Sequence, residues 1–224
     1  MMYYDHSVII MNSSVMAKPR QRAARREARK LVADFRRVSI LDAAREVFSE
    51  HGYEATSMDL IATAAGVAKG TLYLYYPAKA AIYSAAVMEG LQELANQTTA
   101  VLESGLDIRE VLRSFLLTRL RYFETHADFF RIYSAEVGNL GGGATRIRQE
   151  YLRLHELQVD LLATALQAAA RAGQIRKVDP RAVATAALDL SHGLVVRHVR
   201  NPSQRAVSDV ETVTDLLWRG LEIR

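Results

Sequence analysis

The sequence predicts an all-α protein in two parts, a small N-terminal domain and a larger helical body. Three observations carry that expectation. No alternating apolar and polar run is long enough to be a strand, while apolar residues recur at helical spacing along most of the 224 residues. Only four prolines interrupt the chain, and alanine and leucine are frequent. Half of the residues are apolar, enough for a packed core and too many for a disordered chain.

Charge is unevenly placed. Between Lys18 and Arg37 nine basic residues face two acids, Glu27 and Asp34, a local balance of +7. The whole chain carries +4, so the remainder sums to −3. A basic end on an otherwise mildly acidic chain points to a polyanion partner for that end alone. The absence of cysteine excludes disulfide scaffolds, thiolate metal sites and cysteine nucleophiles, and suits a reducing compartment, hence a cytoplasmic protein. No stretch approaches the roughly 18 apolar residues of a membrane span. Residues 1–17 read as an unstructured leader with Met11 or Met16 as alternative starts, and 1–35 as a flexible basic arm.

Elements follow in order. Ile40, Leu41, Ala44, Val47 and Phe48 form one face of a first helix, which Gly52 ends. The good helix formers before it can extend it backwards. Thr56 and Ser57 offer an N-cap to a short second helix with Met58, Ile61, Ala62 and Ala65 inward, broken by Gly66. A third helix starts about Ala68 and stops before Pro77, which suits the first turn of a fourth helix through Ile82, Tyr83, Ala86, Val87, Leu91 and Leu94. Residues 36–80 therefore read as a helix-turn-helix unit with one supporting helix. In the body, 81–224, Asp107 caps a helix reaching Phe123, and His126–Val137 forms a short amphipathic piece. Gly141–Gly143 is a break, and Thr145–Ala172 is a long amphipathic helix. Gly173 and Asp179-Pro180 bracket a turn before the helix 181–199. Asn201-Pro202 ends that helix, and 210–221 is the last.

The third helix carries the chemistry. With Leu72 set inward, Tyr76 falls beside it, Gly70, Thr71 and Leu74 point outward, and Tyr73 and Tyr75 take the flanks. Small outward residues admit base edges in a major groove, and flanking phenols reach phosphates on its walls. Lys69 and Lys79 add charge at either end, and the free amides at Thr56-Ser57 can bind a further phosphate. The bland alternative is a helix whose outward tyrosines bind another protein.

The stretch "ILDAAREVFSEHGYEATSMDLIATAAGVAKGTLYLYYPAK", residues 40–79, closely resembles the DNA-binding domain of TetR-family (tetracycline-repressor-like) transcriptional regulators. The shared features are the first-helix apolar pattern, "IA..AGV" and "KGTLY.YY..K"; the body resembles the family only in length, helicity and a "G.IR..DP" turn. By position, the resemblance implies phosphate contacts from Thr56 and Ser57, groove-facing roles for Lys69, Gly70, Thr71 and Leu74, and phosphate clamps at Tyr73, Tyr75 and Lys79. It also implies a homodimer on a near-palindromic double-stranded operator, usually as a repressor, with the last two helices paired across the dimer. Two departures stand out. Tyr76 replaces a usual phenylalanine, and Ala80 replaces an acid, which puts a cap of the fourth helix in doubt.

A small-molecule effector would lie among aromatics of the middle helices, with Tyr122, Phe123, Phe129, Phe130, Tyr133, Tyr151 and His155 as candidates. Taken singly, each reads first as an ordinary core residue. Asp189 and His192 read either as a mutually satisfied pair at the dimer seam or, for His192, as a polar anchor in the pocket. No cofactor or metal is expected. His192 and His198 do not share a helix face, Gly141–Gly143 lacks the features of a phosphate loop, and no serine elbow occurs, so the chain is not read as an enzyme. The function expected is a ligand-responsive DNA-binding regulator. The alternative is a helical adaptor between proteins, whose binding would not respond steeply to salt.

Overall fold

In a computed structural model of the chain, the backbone is described for residues 14–138, 146–201 and 206–223, and side chains from residue 22 onward except 135–145, 202–205 and 224. Nine helices make up the described residues: α1 (Ser14–Ala55), α2 (Met58–Ala64), α3 (Lys69–Tyr75), α4 (Lys79–Leu102), α5 (Ile108–Thr125), α6 (Ala127–Gly138), α7 (Arg146–Arg171), α8 (Pro180–Arg200) and α9 (Ala206–Leu221).

The expected flexible arm is replaced over residues 14–35 by helix, which runs on without a break into the first core turn of α1. From Gln21 to His51 no glycine or proline interrupts a run rich in Ala, Arg, Lys, Glu and Leu, so nothing in the local chemistry stops the helix. Packing begins only at Ile40; from Arg22 to Val38 all side chains but Ala33 are exposed, including Leu31, Val32, Phe35 and Val38. Gly52, with φ 73° and ψ 172°, ends the helical run, and Tyr53–Ala55 form a separate turn.

Caps set the other boundaries. The Ser57 hydroxyl accepts from the Leu60 amide at the start of α2. Asp107 accepts from Arg109 and Glu110 amides at the start of α5, and Asp179 accepts from Arg181 and Ala182 amides with Pro180 in the first turn of α8. Gly66, φ 64°, makes the turn between α2 and α3. Pro77 lies outside the first turn expected to hold it: Lys79 is the first residue of α4, Ala78 is its N-cap, and Pro77 precedes both. The doubt over Ala80 is answered by the absence of any side-chain cap or first-turn acid in α4. Gly141–Gly143 and Pro202 lie outside the described residues.

α1 to α3 form the head, and α4 to α9 the body. α1 packs on α2, α4 and α6; α4 packs on α5 and α7; α7 on α8; and α5 on α8 and α9. One core therefore runs from Ile40 in α1 to Leu221 in α9. A close helix approach uses Gly90, whose missing Cβ leaves room for the Phe129 ring of α6; a Cβ there would stand 2.4 Å from a ring carbon. The same glycine's carbonyl accepts from the Tyr122 hydroxyl at 3.1 Å. Gly90→Ala is expected to destabilise the protein by about 1–2 kcal/mol, the overpacking outweighing the helix-propensity gain. A lower urea midpoint at unchanged slope is the readout; an equal or higher midpoint would show that Phe129 yields freely.

Candidate nucleic-acid interface

The reading helix is short, seven residues, and is held from one side. Leu72 is fully buried and Tyr76, at its C-cap, is 3% exposed, while Leu74 on the opposite face is 85% exposed. Gly70 and Lys69 are exposed, and Tyr73 is 44% exposed. Thr71 and Tyr75 are half-buried, so the outward surface is narrower than the helical wheel suggests. Ser57 is exposed at the start of α2, a few residues from the turn that leads to α3.

Three expected contact residues are already engaged within the protein. The Thr56 side chain is not available to a phosphate: it is 3% exposed, and its hydroxyl donates to the Gly52 carbonyl at 2.7 Å. A buried hydroxyl takes the nearest free carbonyl, and the positive-φ turn at Gly52 supplies one. Lys79 spreads its ammonium over the end of α1, donating to the carbonyls of Tyr53 (2.7 Å) and Glu54 (3.1 Å) and sitting 4.4 Å from the Tyr53 ring centroid. That is a lysine closing a helix end. Lys69 pairs with Asp59 at 2.8 Å, and the hydrogen bond and charge of Asp59 raise its pKa.

The head is fixed to the body by aromatic and ionic contacts. Phe48, Tyr53 and Tyr83 form a ring cluster across α1 and α4, with centroids 4.9 to 6.1 Å apart. Arg45, buried, pairs with Asp42 at 2.8 Å and with Glu89 of α4 at 2.6 Å. The tyrosine at position 76 has its own consequence. Its hydroxyl accepts from Arg37 Nε at 3.2 Å, and the guanidinium also lies 5.7 Å from the ring centroid. Burial pushes the Tyr76 phenol up while Arg37 pulls it down. One residue of the basic run is thereby tied to the reading helix. Sequence reasoning missed this bond, because pairs 39 residues apart leave no local signature.

The body candidates divide into two groups. Tyr122, Phe123, Phe129 and Phe130 are core: at most 5% exposed, they pack ring against ring, mostly edge-on, and Tyr122 also donates to Gly90 and Glu93. Tyr133, Tyr151 and His155 line a small cavity with Leu91, Leu94, Arg119, Leu154 and Gln158. His192 of α8 places its ring 6.0 Å from the Tyr133 ring. The expected Asp189–His192 pair is not formed: among the described residues no hydrogen bond or ion pair joins them, and Asp189 is exposed on the outer face of α8. Burial lowers the pKa of both His155 and His192, and Arg119 adds to the effect. No group of acids, histidines or cysteines that could hold a metal occurs among the described residues, and no described helix is long and apolar enough to cross a membrane.

Comparison with known proteins places this geometry. Residues 40–86 match the model for bacterial regulatory proteins of the tetR family, a span that contains the whole of α2 and α3. Along most of its length the chain is 26% identical to the uncharacterised helix-turn-helix regulator YhgD of Bacillus subtilis, over 81% of this chain and 92% of that one. The TetR-family regulator PfmR of Thermus thermophilus superposes with a TM-score of 0.68 at 29% identity, covering 82% of this chain and 99% of PfmR. The chain belongs to the TetR family. FadR of Bacillus subtilis, solved in complex with stearoyl-CoA, shares the fold with a TM-score of 0.67 at 22% identity over 80% of this chain and 96% of FadR. As a TetR-family member the protein is a DNA-binding transcriptional regulator built on an N-terminal helix-turn-helix domain and a C-terminal helical domain, and is not an enzyme.

Because Lys79 closes α1, Lys79→Met is expected to lower stability by about 1–2 kcal/mol, leaving two carbonyls without their donor. Thermal melting of the free protein checks this; an unchanged melting temperature would assign the ammonium to DNA alone.

Proposed function

We propose that the protein is a ligand-responsive repressor that binds a palindromic operator as a homodimer, with α3 of each subunit in a major groove. The observation that supports this most is the one-sided burial of α3: Leu72 at 0% and Leu74 at 85% leave an uncovered edge on a rigidly seated helix. On this reading Gly70, Thr71 and Leu74 meet base edges, and Ser57, Lys69, Tyr73 and Tyr75 meet phosphates. Thr56 acts by shaping the turn before α2. A seven-residue helix spans too few base pairs for specificity, and two half-sites about one duplex turn apart supply it. Basic residues Arg22 to Lys30 stand exposed on α1 and add sequence-independent attraction.

The dimer is proposed to form through α8 and α9. On these helices Leu190, Val207 and Leu216 remain 37–65% exposed in the single chain, opposite the buried face of Ala187, Leu188, Val195 and Val210. Uncovered leucines on the two last helices suit an isologous bundle with a second copy. The effector is proposed to enter between α4, α5 and α7, as a small organic molecule; FadR's complex with stearoyl-CoA is a precedent in this fold. α1 touches both α4 and α6, so a ligand that parts these helices changes the seat of the head. A coupling of about 1–3 kcal/mol is enough to change operator affinity roughly 5- to 150-fold. Occupancy of the operator denies that duplex to the transcription machinery, which makes repression the direct outcome. A cytoplasmic location follows from the DNA partner.

Selection of binding sites from random duplexes, followed by a salt titration on the best site, tests the reading. Affinity is expected to fall steeply and linearly on a log–log scale with salt. A flat response would favour the protein-adaptor alternative. Tyr73→Phe is expected to weaken binding roughly 2- to 12-fold on every duplex, as one lost hydrogen bond does, without changing preference. Leu74→Ala is expected to change which duplexes are selected; an unaltered preference would remove Leu74 from the base-reading face.

A further inference from the structure

We infer that Arg119 anchors the carboxylate of an amphiphilic organic acid in the cavity between α4, α5 and α7, an inference that rests on the effector reading and names the chemistry of that site. Arg119 is 7% exposed, on the buried face of α5 between Phe115 and Tyr122. Its Nη1 donates to Gln158 Oε1 at 3.2 Å, and Tyr133 is a further hydrogen-bonding neighbour. Gln158 is already committed on its other side: its Nε2 donates to Thr98 Oγ1 at 2.8 Å, and that hydroxyl donates to the Leu94 carbonyl at 2.8 Å. The Arg119 Nε is buried with no hydrogen-bond partner. Among the described residues no carboxylate pairs with Arg119, and none lines the cavity.

A buried guanidinium with an unfilled donor and no counter-charge is costly to the fold. The aromatic neighbours relieve it only in part: Phe115 turns a ring face to the guanidinium at 5.7 Å and the Tyr133 hydroxyl can accept from it, but neither carries a negative charge. His155 and His192 respond by holding their protons less tightly, since burial and then Arg119 both lower their pKa values. Tyr133 stays a neutral phenol, its pKa raised by burial. The missing element is an anion, and the fork of Nε and a terminal nitrogen matches a carboxylate bidentately. One unpaired cation matches one negative charge. A phosphate dianion would leave a charge buried, so a monovalent carboxylate is the better fit. Leu91, Leu94 and Leu154 supply apolar wall, and Tyr133 and Tyr151 supply ring faces, for the rest of the molecule. The free volume is about 20 Å³, room for roughly one water, so an organic acid enters by pushing the helices apart. That displacement is what an effector must produce.

Octanoate and phenylbutyrate are the probes, each set against its matched alcohol, with octyl phosphate as the dianion; binding to the full chain is read by calorimetry. The acids are expected to bind, and the alcohols to bind roughly thirty-fold more weakly or worse. Arg119→Gln, which keeps a donor for Gln158 and removes the charge, is expected to erase the preference for the acid. Arg119→Lys, which keeps the charge and loses the fork, is expected to retain part of it and guards against a folding defect in the first variant. The proposal is overturned if neither acid binds the wild-type chain, if acid and alcohol bind alike, if Arg119→Gln retains the preference, or if octyl phosphate outbinds octanoate. Operator release is measured separately. Acids that bind through Arg119 without weakening operator affinity would leave the anchor standing and remove the effector role. An alcohol that releases operator while the acids fail to bind would do the reverse.

Discussion

Everything the head does depends on the anchoring of a helix too short to exist alone. An isolated helix of seven residues in water is far below the length at which hydrogen bonding offsets nucleation. α3 persists because Leu72 is sealed in the core and Tyr76, at the C-cap, is sealed beside it and held by Arg37. The cost of ordering Lys69, Gly70, Tyr73 and Leu74 is thus met before any duplex arrives, and a preordered surface binds without that penalty. The same arrangement explains the exposure of Leu74. A leucine so fully in water is unfavourable for the free protein and intelligible on a surface that another molecule covers.

The second constraint is that α1 and α4 serve both halves of the molecule. α1 carries the head's core face and packs on α4 and α6; α4 begins beside the reading helix and ends deep in the body. Arg45 reaches from α1 to Glu89, and one residue further along α4 Gly90 admits the ring of Phe129 from α6. Nothing between head and body is a soft linker at this junction. A change in the spacing of α4, α6 and α7 must therefore be passed to α1 or absorbed by breaking these contacts. The interior is poorly suited to absorb it, since close-packed rings transmit displacement. That is the physical basis for linking a cavity at Arg119 to a helix at Leu74.

Local chemistry was legible in the sequence, and long-range chemistry was not. The Ser57, Asp107 and Asp179 caps, the turns at Gly52, Gly66 and Gly173, and the inward set of Leu72 and Tyr76 follow from residue type and helical period. The engagement of the Thr56 hydroxyl with the Gly52 carbonyl was not legible, since only the fold supplies that partner. Lys79 was half-read, its charge noted and its engagement with Tyr53 and Glu54 unseen. The helical course of residues 14–35 was masked by a charge run that reads as solvated arm, although its residues are good helix formers. Arg119 did leave a trace: it falls four residues after Phe115 and three before Tyr122, on the apolar stripe of α5. A lone arginine on an apolar face was the signal to follow.

The natural absence of cysteine gives a direct route to the central claim. Leu74→Cys would carry the single thiol of the chain, at a position 85% exposed in the free protein. Its alkylation by iodoacetamide is measured with and without a saturating amount of a duplex chosen by selection. Strong protection by that duplex, and little by a random duplex at the same salt, is the predicted result. Equal alkylation in all three conditions would mean that the outer side of α3 does not meet DNA.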